Sequence, residues 1–300
     1  MSSMDKDAGE TMVPSTAVQD SLKLACVHSH ERDKKIWFEE KTHTYFIGGK
    51  CTGWASVTSV VHEFFDHFDA KKVASNIVKS QGFQNGTKYE RYQVFRQRPD
   101  GSGARSQQEC IAAIMESWEQ NGKQAADDGT FMHNTIEKYY NDVLLTAQER
   151  ELPEFRQHFG DFAAAAQMSG LQIYRTEWRV YCEEDMICGS IDAVFRDPRN
   201  GGFYLVDWKR TKSMRMRGFR RGTGPLSHLD DCNFIHYQIQ LNLYQYILEK
   251  RYGIRVTGRL LVVCHPQQKT FQSYVVPERQ AEILRIIKHR QASKSKRPHD

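Results

Sequence analysis

No run in these 300 residues approaches the ~20 consecutive apolar residues that a membrane helix needs. The opening MSSMDKDAGETMVPSTAVQD lacks a basic region followed by an apolar one, so no secretory signal is expected. Seven cysteines, at 26, 51, 110, 182, 188, 232 and 264, make an odd and scattered set without a C-x-x-C pair. That argues against a disulfide framework and a tetrathiolate metal site, and the expectation is reduced thiols in an intracellular protein. No internal repeat is found. What is present is enough for a core: 39% hydrophobic and 11% aromatic residues exclude wholesale disorder. A formal net charge of +5 is a mild pointer to a polyanionic partner.

Along the chain, residues 1–34 read as a polar, flexible leader and 292–300 as a basic tail that includes Lys294, Lys296 and Arg297. Between them, 35–291 reads as a single α/β domain, with a hairpin and helical lobe over 35–168 and a core over 169–291. KIWFEEKTHTYFIGG (35–49) alternates and turns as a small hairpin. Residues 56–80 have apolar positions at helical spacing after a Ser/Thr start and predict a helix. Residues 85–106 give no clear element. Residues 107–143 predict two helices, broken and capped at Asp127-Asp128-Gly129-Thr130. A further helix is expected over 153–168.

The period then falls to 2. Residues 171–182, 185–197 and 201–210 predict three strands joined by the tight turns EED and DPRNGG, an antiparallel meander. A basic loop (211–235), a helix (237–253) closed by Gly253, strands at 255–266 and 270–277, and a helix (278–291) complete a mixed sheet flanked by helices.

The chemistry gathers at GGFYLVDWKRTK (201–212). Residues i and i+2 of a strand share a face, so Asp207 and Lys209 leave the sheet on one side and Val206 and Trp208 on the other. A plain ion pair at a strand end would explain an arbitrary D-x-K. Asp192, inside the apolar segment CGSIDAVF, changes the balance. With the turn at 197–202, Asp192 and Asp207 fall at the same end of adjacent strands. Two close carboxylates repel, and a hard divalent cation such as Mg²⁺ relieves this.

Gly189-Ser190-Ile191-Asp192, fourteen intervening residues and Asp207-Trp208-Lys209 together resemble the core of the PD-(D/E)XK nuclease superfamily. DDGTFMHNTIEKYY resembles the G-x-x-x-H-x-x-x-E helix of its RecB-like exonuclease branch through Gly129, His133 and Glu137. QIQLNLYQYILE resembles that branch's Q-x-x-x-Y helix through Gln240 and Tyr244, and SVTSVVHEFFDHFD more loosely resembles the opening helix of viral and phage-type members. The motifs occur in the family's order over about residues 45–276.

The resemblance implies a restriction-endonuclease-like core. It also implies a Mg²⁺-dependent (or Mn²⁺-dependent) phosphodiester hydrolase, most simply a DNA exonuclease that acts on ends in repair or recombination. His133, Asp192, Asp207 and the Trp208 carbonyl would be metal ligands, and Lys209 would position the attacking water. Glu137 reads equally as a site-orienting residue or a helix-face carboxylate, and Glu177 as an acid reaching the site behind the ligands or, more simply, a strand-face carboxylate. Gln240 and Tyr244 would lie by the nucleic acid. The run from Lys209 to Arg221 holds no acidic residue, and Arg210, Lys212, Arg215, Arg217, Arg220 and Arg221 read as phosphate contacts. Relatives with an iron–sulfur cluster keep three closely spaced cysteines near the C-terminus, but only Cys264 lies beyond 232 here, so no cluster is expected. Two alternatives stay open: a catalytically silent nucleic-acid-binding module of this fold, and an unrelated α/β interaction protein with D-x-K as a buried ion pair.

Overall fold

A computed structural model describes residues 22–295. The hydrophobic alternation at 172–209 becomes three strands, β4 (Gln172–Cys182), β5 (Ile187–Arg196) and β6 (Phe203–Lys209), paired antiparallel in sequence as the turns demand. β7 (Val256–Val263) joins β6 in parallel after a helical crossover, and β8 (Gln272–Val275) closes antiparallel on β7. A two-residue strand, β3 (Ala55–Ser56), runs parallel to the start of β5. The result is a six-stranded mixed sheet in an α/β fold. Separately, β1 (Ile36–Glu39) and β2 (Thr44–Ile47) form the expected hairpin, with Trp37 stacked on its cross-strand partner Phe46.

The strand β5 explains where the site falls. β4 occupies one of its edges from end to end. On the other edge β3 pairs only at Ile187 and Cys188, and β6 only from Ala193 to Arg196. Gly189 to Asp192 therefore face an opening in the sheet.

Helices cover both faces. One face packs on α1 (Val57–His62), α5 (Asn233–Arg251) and α6 (Gln280–Ser295), with Val60, Ile239, Leu243, Ile286 and the strand residues Trp178 and Leu205 in one core. The opposite face is aromatic: Phe162 of α4 (Gly160–Met168) meets Trp208 and Phe195 edge-on, and Phe159 meets Tyr140 and Trp208.

Several boundaries differ from the sequence reading. Residues 22–34, expected in a flexible leader, are docked. Asp33 accepts hydrogen bonds from Arg175 and from the Trp178 indole, at 2.8 and 2.9 Å, and the Leu24 N–H bonds Asn141 at 3.0 Å. Residues 1–21 of that leader and 296–300 of the tail lie outside the described residues.

The helix expected over 56–80 is two, α1 and α2 (Ala70–Lys79), separated where Phe64 and Phe65 turn inward. The pair expected over 107–143 is one helix, α3 (Gln107–Tyr140). The cost of a mid-helix glycine, ~1 kcal/mol, does not break a helix of this length. Gln124 also ties down Asp128 one turn on at 2.7 Å, so that carboxylate does not cap a new helix. The segment before α4 contains a π-helical stretch at Glu154–Phe159.

The described chain divides into two compact units: residues 66–132, and the remainder. The first has its own core of Ala74, Ile77, Phe83, Tyr92 and Ile114. The second holds the sheet.

Candidate metal centre

His133, Glu177 and Asp192 converge beside the opening in β5. One ligand atom from each lies within 4.8 Å of the other two. α3 supplies His133, whose Nδ1 stands 3.5 Å from Glu177 Oε1 and 3.7 Å from Asp192 Oδ2. Its Nε2 lies 3.0 Å from the Trp208 carbonyl oxygen. A carbonyl only accepts, so Nε2 carries a proton, and deprotonation frees Nδ1 to face the carboxylates as a ligand. The Trp208 carbonyl, expected as a metal ligand, is within hydrogen-bonding reach of the imidazole and can orient it.

Asp192 takes the place of a missing ladder bond. β5 and β6 separate beyond Ala193 and Val206, and Asp192 Oδ2 accepts the Trp208 N–H at 2.8 Å. Glu177 lies opposite Asp192 across the β4–β5 register and has φ +41°, a left-handed conformation inside a strand. A non-glycine residue held there costs on the order of 1–3 kcal/mol and marks a position fixed by its surroundings. Ser190 donates to its second oxygen at 3.0 Å.

Asp207 and Lys209 share one face of β6, as the strand period requires. They form an ion pair at 2.7 Å, and Asp207 Oδ1 accepts from Gln240 of α5 at 3.2 Å. Lys209 Nζ lies 4.8 Å from the centre of the Tyr237 ring. Asp207 stands beside the three-residue cluster but outside it.

Three carboxylates thus face one imidazole and one ammonium. Burial drives the Asp192 carboxyl up to about 7; His133 and Lys209 oppose this, while Asp207 and Glu177 add to it. Burial pulls the His133 imidazole down, but the Asp192 and Glu177 carboxylates outweigh it and raise it to about 9. Burial also disfavours the Glu177 anion, yet its contacts with His133 leave its carboxyl below the ordinary range. Lys209 loses hydration on burial but is held firmly protonated by Asp207 and Asp192. A carboxyl driven upward by burial beside two other carboxylates is what a cation would relieve, and a mixed oxygen and imidazole set fits a divalent ion.

The remaining predicted residues separate into groups. Gln240 reaches the site through Asp207. Tyr244 is buried in the core, and its hydroxyl backs Gly189, where a Cβ would come within 2.8 Å of it. Gly129 sits inside α3, one turn before His133. Glu137, a turn beyond His133, lines a small cavity with Glu177, Arg175 and Arg179.

Arg210, expected on phosphate, is ion-paired with the buried Glu154 at 2.5 Å. Arg220 and Arg221 pair with Asp231 and Asp230 at 3.4 and 3.6 Å, which gives those two acids a structural role. Lys212, Arg215 and Arg217 are exposed. Arg290, near the basic tail, is buried against Glu63.

Glu177, which reads from the sequence more simply as a strand-face carboxylate than as an acid reaching the site, stands in the cluster. Its signal was in the hairpin: a turn at 183–186 pairs Cys182 with Ile187 and thereby sets Glu177 across from Asp192.

No protein-family model and no curated protein matches the chain. Among solved structures, it shows a distant likeness to a protein described as "Putative exonuclease" from Eubacterium rectale. Identity there is 14% and the TM-score 0.26, over 82% of this chain and 89% of that one. It also shows one to SSO0001, at 17% identity and a TM-score of 0.27, over 51% of this chain. The match spans 64% of the length of SSO0001. No helix among the described residues is long and apolar enough to cross a membrane.

Proposed function

We propose that this chain is a divalent-cation-dependent nuclease that hydrolyses phosphodiester bonds, with a restriction-endonuclease-like core and DNA ends as its substrate. The observation that carries the reading is the meeting of His133, Glu177 and Asp192 within 4.8 Å of one another, next to the Asp207–Lys209 pair on the adjoining strand. A metal cluster alone would suit many reactions. A fixed ammonium at its edge, followed in the chain by exposed Lys212, Arg215 and Arg217, suits a phosphate ester.

His133 through Nδ1, with Glu177 and Asp192, would hold Mg²⁺ or Mn²⁺, and Asp207, paired with Lys209 on the adjoining strand, would serve as a further ligand only by turning toward the ion. Such an ion supplies charge stabilisation to phosphoryl oxygens and makes water a better nucleophile. Lys209 stays protonated beside Asp207, so it cannot accept a proton at neutral pH. Its role is to orient water and attract the phosphate. Gln240 holds Asp207 in its rotamer, and the Trp208 carbonyl holds the His133 ring.

The test is one gel. Linear and circular DNA, single- and double-stranded, are incubated with Mg²⁺, with Mn²⁺ and with EDTA, alongside Lys209→Ala. The expected result is loss of linear substrate with either metal, none with EDTA, and a drop of at least ~100-fold in the variant. Binding without cleavage in both metals would leave a silent nucleic-acid-binding module instead.

A further inference from the structure

The loop that leaves Lys209 carries a feature the cluster does not use. Phe219 is fully exposed, at 111% of its reference area. Single exposed apolar residues are ordinary, and most sit on mobile or featureless surface. Phe219 sits on a backbone pinned at both sides. The Asp231 N–H bonds the Arg220 carbonyl at 2.8 Å, and the Gly222 N–H bonds the Leu229 carbonyl at 2.9 Å. Arg221 and Asp230 form a β-bridge and Arg220 and Asp231 an ion pair. At Gly218 the chains approach so closely that a Cβ would lie 2.1 Å from the Asp231 carbonyl oxygen, which only glycine tolerates. Two residues earlier, Met216 is also exposed, and Lys212, Arg215 and Arg217 flank the tip.

Ordering a loop this firmly costs conformational entropy, and here it serves to present a large apolar ring to water. We infer that Phe219 is a stacking platform for an unpaired nucleobase, with Lys212, Arg215 and Arg217 gripping the flanking phosphates. The inference rests on the nuclease reading and names its substrate as a single strand or a frayed end. Every base has a π-face, so an aromatic ring beside cations binds single strands without sequence preference, whereas paired bases are stacked on each other and do not offer one. The loop begins at Lys209, whose ammonium pairs with Asp207 beside the metal centre.

The experiment measures binding by fluorescence anisotropy in EDTA, which separates it from hydrolysis. Wild type, Phe219→Ala and Phe219→Trp are titrated with a labelled single strand, the matching blunt duplex, and vesicles containing phosphatidylserine. Phe219 touches no core residue, so the variants should melt with wild type. The expected result is a loss of roughly 5- to 150-fold in single-strand affinity for Phe219→Ala, retention in Phe219→Trp, and little change on duplex. Equal single-strand affinity in wild type and Phe219→Ala would overturn the inference, and so would binding to vesicles in preference to oligonucleotide. Cleavage in Mg²⁺ is scored separately. Cleavage with equal affinities sinks only this inference, whereas binding that depends on Phe219 without cleavage sinks only the hydrolase reading.

Discussion

Replacing Asp192 by Asn should make the protein more stable and blind to metal at the same time. In the cation-free site the Asp192 carboxyl is raised from an ordinary 3.8 to about 7. At neutral pH that corresponds to roughly 4 kcal/mol of opposition to the folded state, at ~1.36 kcal/mol per tenfold. Asparagine removes the charge and keeps an oxygen for the Trp208 N–H. That figure already includes the attraction to His133; allowing for the buried amide's own unmet hydrogen bonds, a net gain of about 1–3 kcal/mol is expected, or ~2–10 °C in Tm. Wild type should gain the same order from a divalent ion, ~2.7 kcal/mol at one hundred times Kd. The assay is a thermal melt of both proteins in EDTA and across a Mg²⁺ and Mn²⁺ titration at pH 7. A variant that melts below wild type in EDTA and keeps the wild-type response to metal would refute both the crowding of charge and the assignment of the site.

The pH dependence of the cation-free protein should carry the signature of His133. Its imidazole is raised from 6.5 to about 9, so its stabilising charge is fully present below pH 6.5 and lost as pH climbs through 9. Metal needs the unprotonated Nδ1, so the metal-induced rise in Tm should be larger at pH 8.5 than at pH 6; the reverse order would remove His133 from the ligand set. Gly189→Ala should cost about 1–3 kcal/mol in a urea melt, because the new Cβ meets the Tyr244 hydroxyl at 2.8 Å, and Tyr244→Phe in the same background should recover part of it. Loss of the Arg210–Glu154 pair in Arg210→Met should lower stability and leave the salt dependence of DNA binding unchanged, whereas Arg217→Ala should flatten that dependence and leave stability unchanged.

The amino-acid sequence by itself determined the meander. Period-2 alternation and two short turns fix which residues of β4, β5 and β6 face each other, because a slip of one residue would turn every core side chain to the wrong face. Asp192, Asp207 and Lys209 were legible for that reason. Helix continuity was not: Asp127 to Thr130 form a locally plausible cap, and only the length of α3 and its packing override it. The same holds for charge. A run of arginines looks uniform along the chain, yet Arg210, Arg220 and Arg221 meet Glu154, Asp231 and Asp230 from other segments, whereas Lys212, Arg215 and Arg217 are exposed beside them.

The opening in β5 belongs to tertiary structure alone. Two strands distant in sequence, β3 and β6, share one edge and leave four residues between them. Into that space the fold brings His133 from a helix and the strained Glu177 from the neighbouring strand. Local sequence sets the direction in which each side chain leaves its own strand, whereas the distances between ligands from separate segments are set by how those segments pack.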